Sequence, residues 1–341
     1  MKAIVYSETG DPDVLRLIDR PLPEPGPGEV RVQVRVSGVN PTDWKSRRGG
    51  QPGERPPFPE VVPNQDGAGV VDALGSGVTE LAVGQRVWLW ESAYQRAGGG
   101  TAQAYLVLPT DHAVPLGEEA SFDQGASLGV PALTAHRALT VAEDGPAELA
   151  PGNLAGRTVL VAGGAGAVGN AAIQLARWAG AEVITTVSSP EKAALAKSAG
   201  AQHVVNYRTE DAAAAIRAVA PDGVDLVVEV APAANAELNE AVLAANGTVA
   251  IYANNGGERV TLTIRPHMTR NIRYQFLLLY TMPEAAKKTA LRDVSAALAD
   301  GALRVGEAAG LPLQHFPLEH TADAHAAVEA GAIGKVLITV S

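Results

Sequence analysis

Residues 157–180 read RTVLVAGGAGAVGNAAIQLARWAG, and this stretch decides the fold. The apolar run Val159-Leu160-Val161-Ala162 has the length and composition of a buried strand. After the glycines, Ile173, Leu175, Ala176 and Trp178 gather toward one side of a helix. Between the two, Gly164, Gly166 and Gly169 stand in the order G-x-G-x-x-G. In that order the first glycine makes the tight turn and the second lets backbone approach a pyrophosphate. The third lets the helix pack closely on the strand. Unpaired helix N–H groups and the positive dipole end then face the phosphates. A bare glycine triplet also fits an ordinary βα turn. With a strand before it and a helix after it, the triplet reads as a dinucleotide-binding fingerprint. Gly163, Gly164, Gly166, Ala167, Val168 and Gly169 are its candidate cofactor-binding residues.

Downstream, strand-like and helix-like segments alternate. Strands are expected at 182–187, 203–205, 224–230 and 247–252, and helices at 190–199, 211–219 and 236–243. Alternation of this kind is the sequence form of a parallel sheet with right-handed crossovers. IRYQFLLLY at 272–280 is a continuous apolar run that reads as a last, edge strand. An edge so hydrophobic invites pairing with another copy, so a homodimer joined through 272–280 is expected. EAAKKTALRDVSAALA at 284–299 is an amphipathic helix in which Glu284 pairs with Lys287 and Lys288.

Upstream the pattern is short strands and turns. VRVQVRV at 30–36 alternates valine with polar residues, as in an antiparallel strand with one wet face. Residues 40–66 carry many prolines and glycines and little periodicity, and read as a long functional or disordered loop. Through residue 116 the whole reads as an all-β, barrel-like unit. Residues 121–142 are helical in two pieces divided around Gly129-Val130-Pro131. The tail adds a strand near His315-Phe316, the helix ADAHAAVEAG and the strand VLITV. The nucleotide-binding part is therefore expected to be inserted between two parts of the first domain.

The chain has 341 residues, which favours two domains. With 46% hydrophobic and 19% charged residues it can fill sizeable cores. A formal charge of −10 argues against general affinity for nucleic acid or an anionic membrane. There is no cysteine, so neither disulfides nor thiolate-bound zinc are available. MKAIVYSETG shows no signal-peptide pattern and no window has the run of ~18 apolar residues that a span needs. The default reading is a soluble, cytoplasmic protein.

The cofactor's ribose is read where the second strand of the alternating block ends. An acidic residue there, about 20 positions past the glycines, would hold a ribose 2′-OH. This chain has Val187-Ser188-Ser189-Pro190-Glu191-Lys192 instead. The hydroxyls of Ser188 and Ser189 leave room for a 2′-phosphate and can donate to it, and Lys192 adds a positive charge. These residues point to NADPH over NADH. Glu191 is assigned to solvent in the first helical turn, where it complements the dipole; Lys192 alone also fits a solvated helix lysine.

Taken together, MKAIVY, GVNPTDWKSRRG (38–49), NQDGAGVV (64–71), GQRVW (84–88), GASLGVPALTAHRAL (125–139), VLVAGGAGAVG (159–169), GVDLVVEV (223–230), NGTVAIY (246–252) and GKVLITV (334–340) carry a family resemblance. The chain resembles, over essentially its full length, the zinc-free quinone oxidoreductases related to zeta-crystallin, within the medium-chain dehydrogenase/reductase superfamily. The resemblance implies an α/β fold in which a Rossmann dinucleotide-binding domain is inserted in a GroES-like, β-barrel-type catalytic domain. Residues 1–125 and 282–341 would form the catalytic domain and 126–281 the Rossmann domain. Zinc-dependent relatives carry a cysteine where Asn40 stands and a histidine–glutamate pair near Gln65-Asp66. Neither is present here, and the seven histidines lack i,i+4 spacing, so no metal is expected.

The resemblance also assigns roles. Asn40 would lie at the domain cleft near the nicotinamide, binding cofactor and donating its amide to the acceptor without changing charge. Asn in an N-P-T-D turn also has a purely structural reading. Related reductases often have a tyrosine five residues on, where this chain has Lys45. Lys45 is a candidate proton or charge donor if burial lowers its pKa, and otherwise a surface residue. Pro131 and Thr134 would hold the nicotinamide carboxamide. Tyr207-Arg208 would flank the 2′-phosphate, and Tyr252-Ala253-Asn254 would meet the ring or its ribose. Asp43 and Asp66 read as capping carboxylates.

The implied activity is an NADPH:quinone oxidoreductase that passes hydride to a quinone or another small conjugated carbonyl. One alternative is a 2-enoyl-thioester reductase with a basic rim of Lys45, Arg47, Arg48 and Arg55. Another is a non-enzymatic NADPH-binding sensor or structural protein, since fold does not dictate function.

Overall fold

In the computed structural model, which describes residues 1–340, the alternating half of the chain forms one six-stranded sheet. Its spatial order is His203–Asn206, Glu182–Val187, Thr158–Ala162, Val224–Glu229, Leu243–Ile251, Arg273–Phe276. Every neighbouring pair is parallel. Strand order reverses between Thr158–Ala162 and Val224–Glu229, and in such sheets the crevice beyond the strands' carboxyl ends at that point takes the ligand. The middles of the central strands are largely apolar and buried: Val159, Val161, Val183, Ile184, Val227 and Val228 are fully buried.

The expected edge strand is shorter than its apolar run. It spans Arg273–Phe276, and the chain then turns through a 3₁₀ segment at Leu279–Thr281. Burial explains the difference, because Leu279 is buried while Phe276 and Leu278 stay exposed.

The first unit is built on a seven-stranded sheet. Its order is Leu313–Pro317, Lys335–Thr339, Glu29–Val39, Asp66–Leu74, Arg86–Leu89, Ala113–Pro115, with Tyr105–Pro109 also paired to Glu29–Val39. All its pairs are antiparallel except the first. Val30, Val32 and Val34 are fully buried on one face, as their alternation requires. The opposite face is not bare: Arg31 is bonded to Asp72 at 2.6 Å. A separate antiparallel ribbon joins Lys2–Val5 to Arg16–Asp19.

The chain divides into Met1–Val130 with Leu313–Ser341, and Pro131–Pro312 between them. The second crossing therefore differs from the expected one at 281/282. Helix Glu284–Ala299 belongs to the parallel-sheet unit, where Asp293 accepts from His136 Nε2 at 2.8 Å and from Leu149 N–H at 2.7 Å. Amphipathic periodicity shows that a helix packs, not which unit it packs against.

Two further elements differ from the sequence reading. Residues 40–66 are not a continuous loop, because Pro41–Arg48 is a helix. Asp43 at its third position accepts the Asn40 backbone N–H at 2.7 Å, one arm of a capping box, and Pro41 stands at the first position. The two helical pieces are Phe122–Gly125 and Gly129–Leu139, so Gly129-Val130-Pro131 opens the second helix rather than breaking it. No helix among the described residues is long and apolar enough to cross a membrane.

Candidate active site

The glycine turn follows strand Thr158–Ala162 and opens helix Ala167–Trp178. Left-handed backbone falls on Gly163, at φ +72°, so the tight turn belongs to Gly163 and not to Gly164. Gly164 is required for a different reason: a Cβ there would lie 2.1 Å from Thr185 Oγ1 on the neighbouring strand. A Cβ on Gly169 would lie 2.4 Å from Gly163 O, which is the close helix-to-turn packing expected of the third glycine. Gly166 is exposed, with its nearest Cβ neighbour at 3.5 Å. Ala167 and Val168, half-buried, begin the helix, whose first N–H groups have no intrahelical acceptor. Backbone donors thus line an open cradle.

Beside this turn, Ser188 and Ser189 follow strand Glu182–Val187, and Tyr207 follows the adjacent strand His203–Asn206. The register pairs Asn206 with Val187, so Ser188 and Tyr207 leave neighbouring strand ends. Lys192 Nζ donates to Ser188 Oγ at 3.3 Å, and Tyr207 is 51% exposed. Ser189 caps the next helix, accepting Lys192 N–H at 3.3 Å. Its hydroxyl also holds the Glu191 carboxylate below the usual glutamate range, so Glu191 is exposed but engaged.

At the end of strand Leu243–Ile251, Tyr252 N–H donates to Glu229 O at 3.1 Å. Burial, and then the Glu229 carboxylate, push the Tyr252 phenol up. Glu229 is itself fully buried and accepts from Ala231 N–H at 2.6 Å, Asn239 Nδ2 at 2.7 Å and Asn235 Nδ2 at 2.9 Å. Ala253 is half-buried and Asn254 is exposed, bonded to Glu258. Pro131 and Thr134, both buried, stand at i and i+3 on helix Gly129–Leu139 and share a face.

The first unit contributes a buried polar cluster. Asn40, Asp43, Asp66 and Lys335 are at most 3% exposed. Asn40 Nδ2 donates to Asp66 Oδ2 at 2.7 Å, and Lys335 Nζ donates to Asn40 Oδ1 at 2.6 Å. Asp66 also accepts Val130 N–H at 2.9 and 3.0 Å, and Asp43 accepts Gln65 N–H at 3.1 Å. Burial, and then the Asp66 charge, push Asp43 up to about 8. Burial raises Asp66 as well, against the pull of Lys335. Burial likewise holds Lys335 below the usual lysine range, opposed by Asp66 and Asp43.

Lys45 is different. It is exposed on helix Pro41–Arg48, with Nζ 5.9 Å over the Trp44 ring. The basic rim is also reduced: Arg47 is fully buried, donating to Gly10 O at 2.9 Å and Glu329 Oε2 at 2.6 Å. Glu329 also bonds Arg48. Helical periodicity turns Arg47 inward, which a loop reading of this segment misses.

The donors present do not fit zinc. Where a metal would need anionic or imidazole ligands beside Asn40, the Lys335 ammonium already occupies the space between Asn40 Oδ1 and Asp66, 3.9 Å from the latter. Among the described residues no group of three or more His, Asp or Glu side chains could hold an ion. Lys335 escaped the sequence reading. Its one local signal was a charged residue opening the buried strand Lys335–Thr339.

A parallel sheet with a glycine cradle at its switch point, inserted into an antiparallel β unit that carries a buried polar cluster, is the architecture of a medium-chain dehydrogenase/reductase. The family model for the alcohol dehydrogenase GroES-like domain matches residues 26–118, and that for zinc-binding dehydrogenases matches 167–296. A quinone oxidoreductase of Lama guanicoe is 32% identical over 99% of this chain and 97% of its own length. The structure of Escherichia coli quinone oxidoreductase complexed with NADPH is 25% identical with a TM-score of 0.81, covering 100% of both chains. A 2-haloacrylate reductase structure is 25% identical with a TM-score of 0.80, again over 100% of both. The chain belongs to the quinone oxidoreductase family of the medium-chain dehydrogenases/reductases, and it is an oxidoreductase with a Rossmann domain inserted in a GroES-like domain.

Proposed function

We propose that this oxidoreductase uses NADPH to reduce a quinone or another small conjugated carbonyl, without a metal. The observation that carries the reading is the strand-end site of Ser188, Ser189, Lys192 and Tyr207 beside the glycine cradle. It offers hydroxyls and an ammonium where an NADH-selective site would place a carboxylate. The E. coli relative complexed with NADPH supports the same choice. The 2-haloacrylate reductase supports the wider acceptor class of conjugated carbonyls.

Bound NADPH supplies the hydride. The chain's own part is to bind, orient and stabilise charge. Gly163, Gly164, Gly166, Ala167, Val168 and Gly169 cradle the pyrophosphate, and Ser188, Ser189, Lys192 and Tyr207 take the 2′-phosphate. Pro131, Thr134, Tyr252, Ala253 and Asn254 seat the nicotinamide and its ribose. As hydride arrives, the acceptor's oxygen gains negative charge and needs a neutral donor. Asn40 Nδ2 carries two hydrogens and gives one to Asp66, so the other serves as that donor. Lys45, exposed, is left as a surface charge near the helix end, and solvent supplies the proton.

We also read the working unit as a homodimer formed along Arg273–Phe276. That strand ends the sheet, and Phe276 and Leu278 are 63% and 56% exposed.

Purified protein with NADPH or NADH, against 1,4-benzoquinone, a simple enone and crotonyl-CoA, tests the proposal. Turnover of quinone or enone with NADPH preferred is expected. Turnover confined to the enoyl thioester, or equal use of NADH, would overturn it.

A further inference from the structure

The Asn40 carboxamide is bonded at both ends by groups of fixed polarity. A carboxylate only accepts and an ammonium only donates. Nδ2 therefore faces Asp66 and Oδ1 faces Lys335. A half-turn of the amide would set N–H against ammonium and C=O against carboxylate, in a site where Asn40 is only 2% exposed and little water could relieve it.

The two charged groups are themselves fixed. Lys335 Nζ donates to Val39 O at 3.2 Å, and both Asp66 oxygens accept the Val130 N–H. Glycines keep room for them. A Cβ on Gly129 would lie 2.1 Å from Asp66 Oδ1, and one on Gly38 would lie 3.2 Å from Lys335 Cε. The Asn40 backbone is held separately by Asp43. A buried ion pair is weak evidence for stability, since apolar residues of similar size often serve as well; its best use is to fix one arrangement over another.

We propose that Asp66 and Lys335 are positioning residues that hold the Asn40 carboxamide in one of its two flip states, so that a single N–H is presented to the acceptor's oxygen. This rests on the reading of Asn40 as that donor. Neither residue touches the reacting atoms; both act through Asn40.

The test is a double-mutant cycle in the full chain, with NADPH and 1,4-benzoquinone. The variants are Asn40→Ala, Asp66→Asn, Lys335→Met, the charge-balanced Asp66→Asn/Lys335→Met, and each of these last three combined with Asn40→Ala. Asn40→Ala is expected to lower kcat by about 100-fold, in the range for loss of one oxyanion donor. Asp66→Asn and Lys335→Met should each lower kcat at least about tenfold, leaving the NADPH dissociation constant unchanged, and neither should lower kcat further once Asn40 is alanine. The charge-balanced pair leaves no lone buried charge, and so carries the test if a single variant fails to fold. Losses that multiply in the Asn40→Ala background, or full kcat in the folded charge-balanced variant, would overturn the positioning role alone. Full kcat in Asn40→Ala would overturn the donor reading itself.

Discussion

His325 Nε2 donates to Asn64 Oδ1 at 2.8 Å, and the bonds beyond Asn64 fix the sense of this one. Thr101 Oγ1 gives its only hydrogen to Asp66 O at 2.6 Å, so at 2.7 Å it accepts from Ser37 Oγ. Ser37 in turn accepts from Asn64 Nδ2 at 2.9 Å, which leaves the Asn64 carbonyl for an N–H of His325. His325 is thus a neutral imidazole protonated on Nε2, with Nδ1 buried and unbonded. Burial, and then the Arg47 guanidinium, hold it down to about 3.

The first prediction is an acid limb of stability that belongs to His325. In the unfolded chain a histidine titrates near 6.5. Between that value and about 3 the unfolded state binds a proton that the folded state refuses. Its contribution is complete above the unfolded pKa and is lost as pH falls toward the folded one, by up to about 1.4 kcal/mol per pH unit. Urea midpoints from pH 8 to pH 4 should fall less steeply for His325→Gln than for the parent, although the variant starts lower. Parallel slopes would refute the assignment.

Much of this architecture was legible because local geometry dictates it. A strand, a glycine turn and a helix in sequence leave the chain few alternatives, and the helix at Glu284–Ala299 appears within the limits its charge pairing and apolar period set. The helix at Pro41–Arg48 was missed for want of an apolar stripe, although Asn40 and Asp43 stood at cap spacing. The motif places the tight turn at Gly164, one residue after the positive φ of Gly163, because G-x-G-x-x-G fixes spacing and not dihedrals. The cluster around Asn40 was out of reach for another reason. Lys335 meets Asn40 across nearly the whole chain, through the pairing of strand Lys335–Thr339 with Glu29–Val39, and no local pattern announces such a contact.

Two glycines of the turn should fail in different ways. An alanine methyl at 164 would meet Thr185 Oγ1 and, at 2.8 Å, Ile173 Cδ1. Thr185 is tied to Val161 O at 2.7 Å and cannot swing aside freely. Gly164→Ala should therefore cost roughly 1–3 kcal/mol of stability. Gly166 has room and an ordinary φ of −80°, so Gly166→Ala should fold normally. Its methyl would stand in the mouth of the cradle, weakening NADPH binding by about tenfold or more, some 1.4 kcal/mol. Thermal melts with fluorescence titration of NADPH separate the two, and equal losses of stability would contradict the assignment.

Cofactor choice should follow charge at the end of strand Glu182–Val187. Ser188→Asp sets a carboxylate beside Lys192 Nζ, consuming the ammonium and repelling a 2′-phosphate. NADPH affinity should fall at least about tenfold while NADH is bound as well or better. Lys192→Ala should weaken NADPH alone. If either variant shifts both nucleotides equally, the phosphate is held elsewhere.

The last prediction concerns the sheet edge. Arg273–Phe276 pairs with Leu243–Ile251 on one side and, among the described residues, with no strand of its own chain on the other. Exposed edges are normally blunted by charge, proline or bulges. Here the only charge in the strand is Arg273, bonded to Glu143, while Phe276 and Leu278 lie exposed along the edge and Ile264 and Met268 are exposed in the preceding segment. Two copies related by a two-fold axis would pair these strands antiparallel, each burying the other's apolar residues in a closed, isologous contact. Phe276→Lys/Leu278→Lys places like charges on both sides of that axis without touching the core, as both positions are solvent-facing. Sedimentation at micromolar concentration should give two chains for the parent and one for the variant, with thermal stability of the single chain retained. A parent that sediments as one chain, or a variant that remains paired, would remove this edge as the dimer contact.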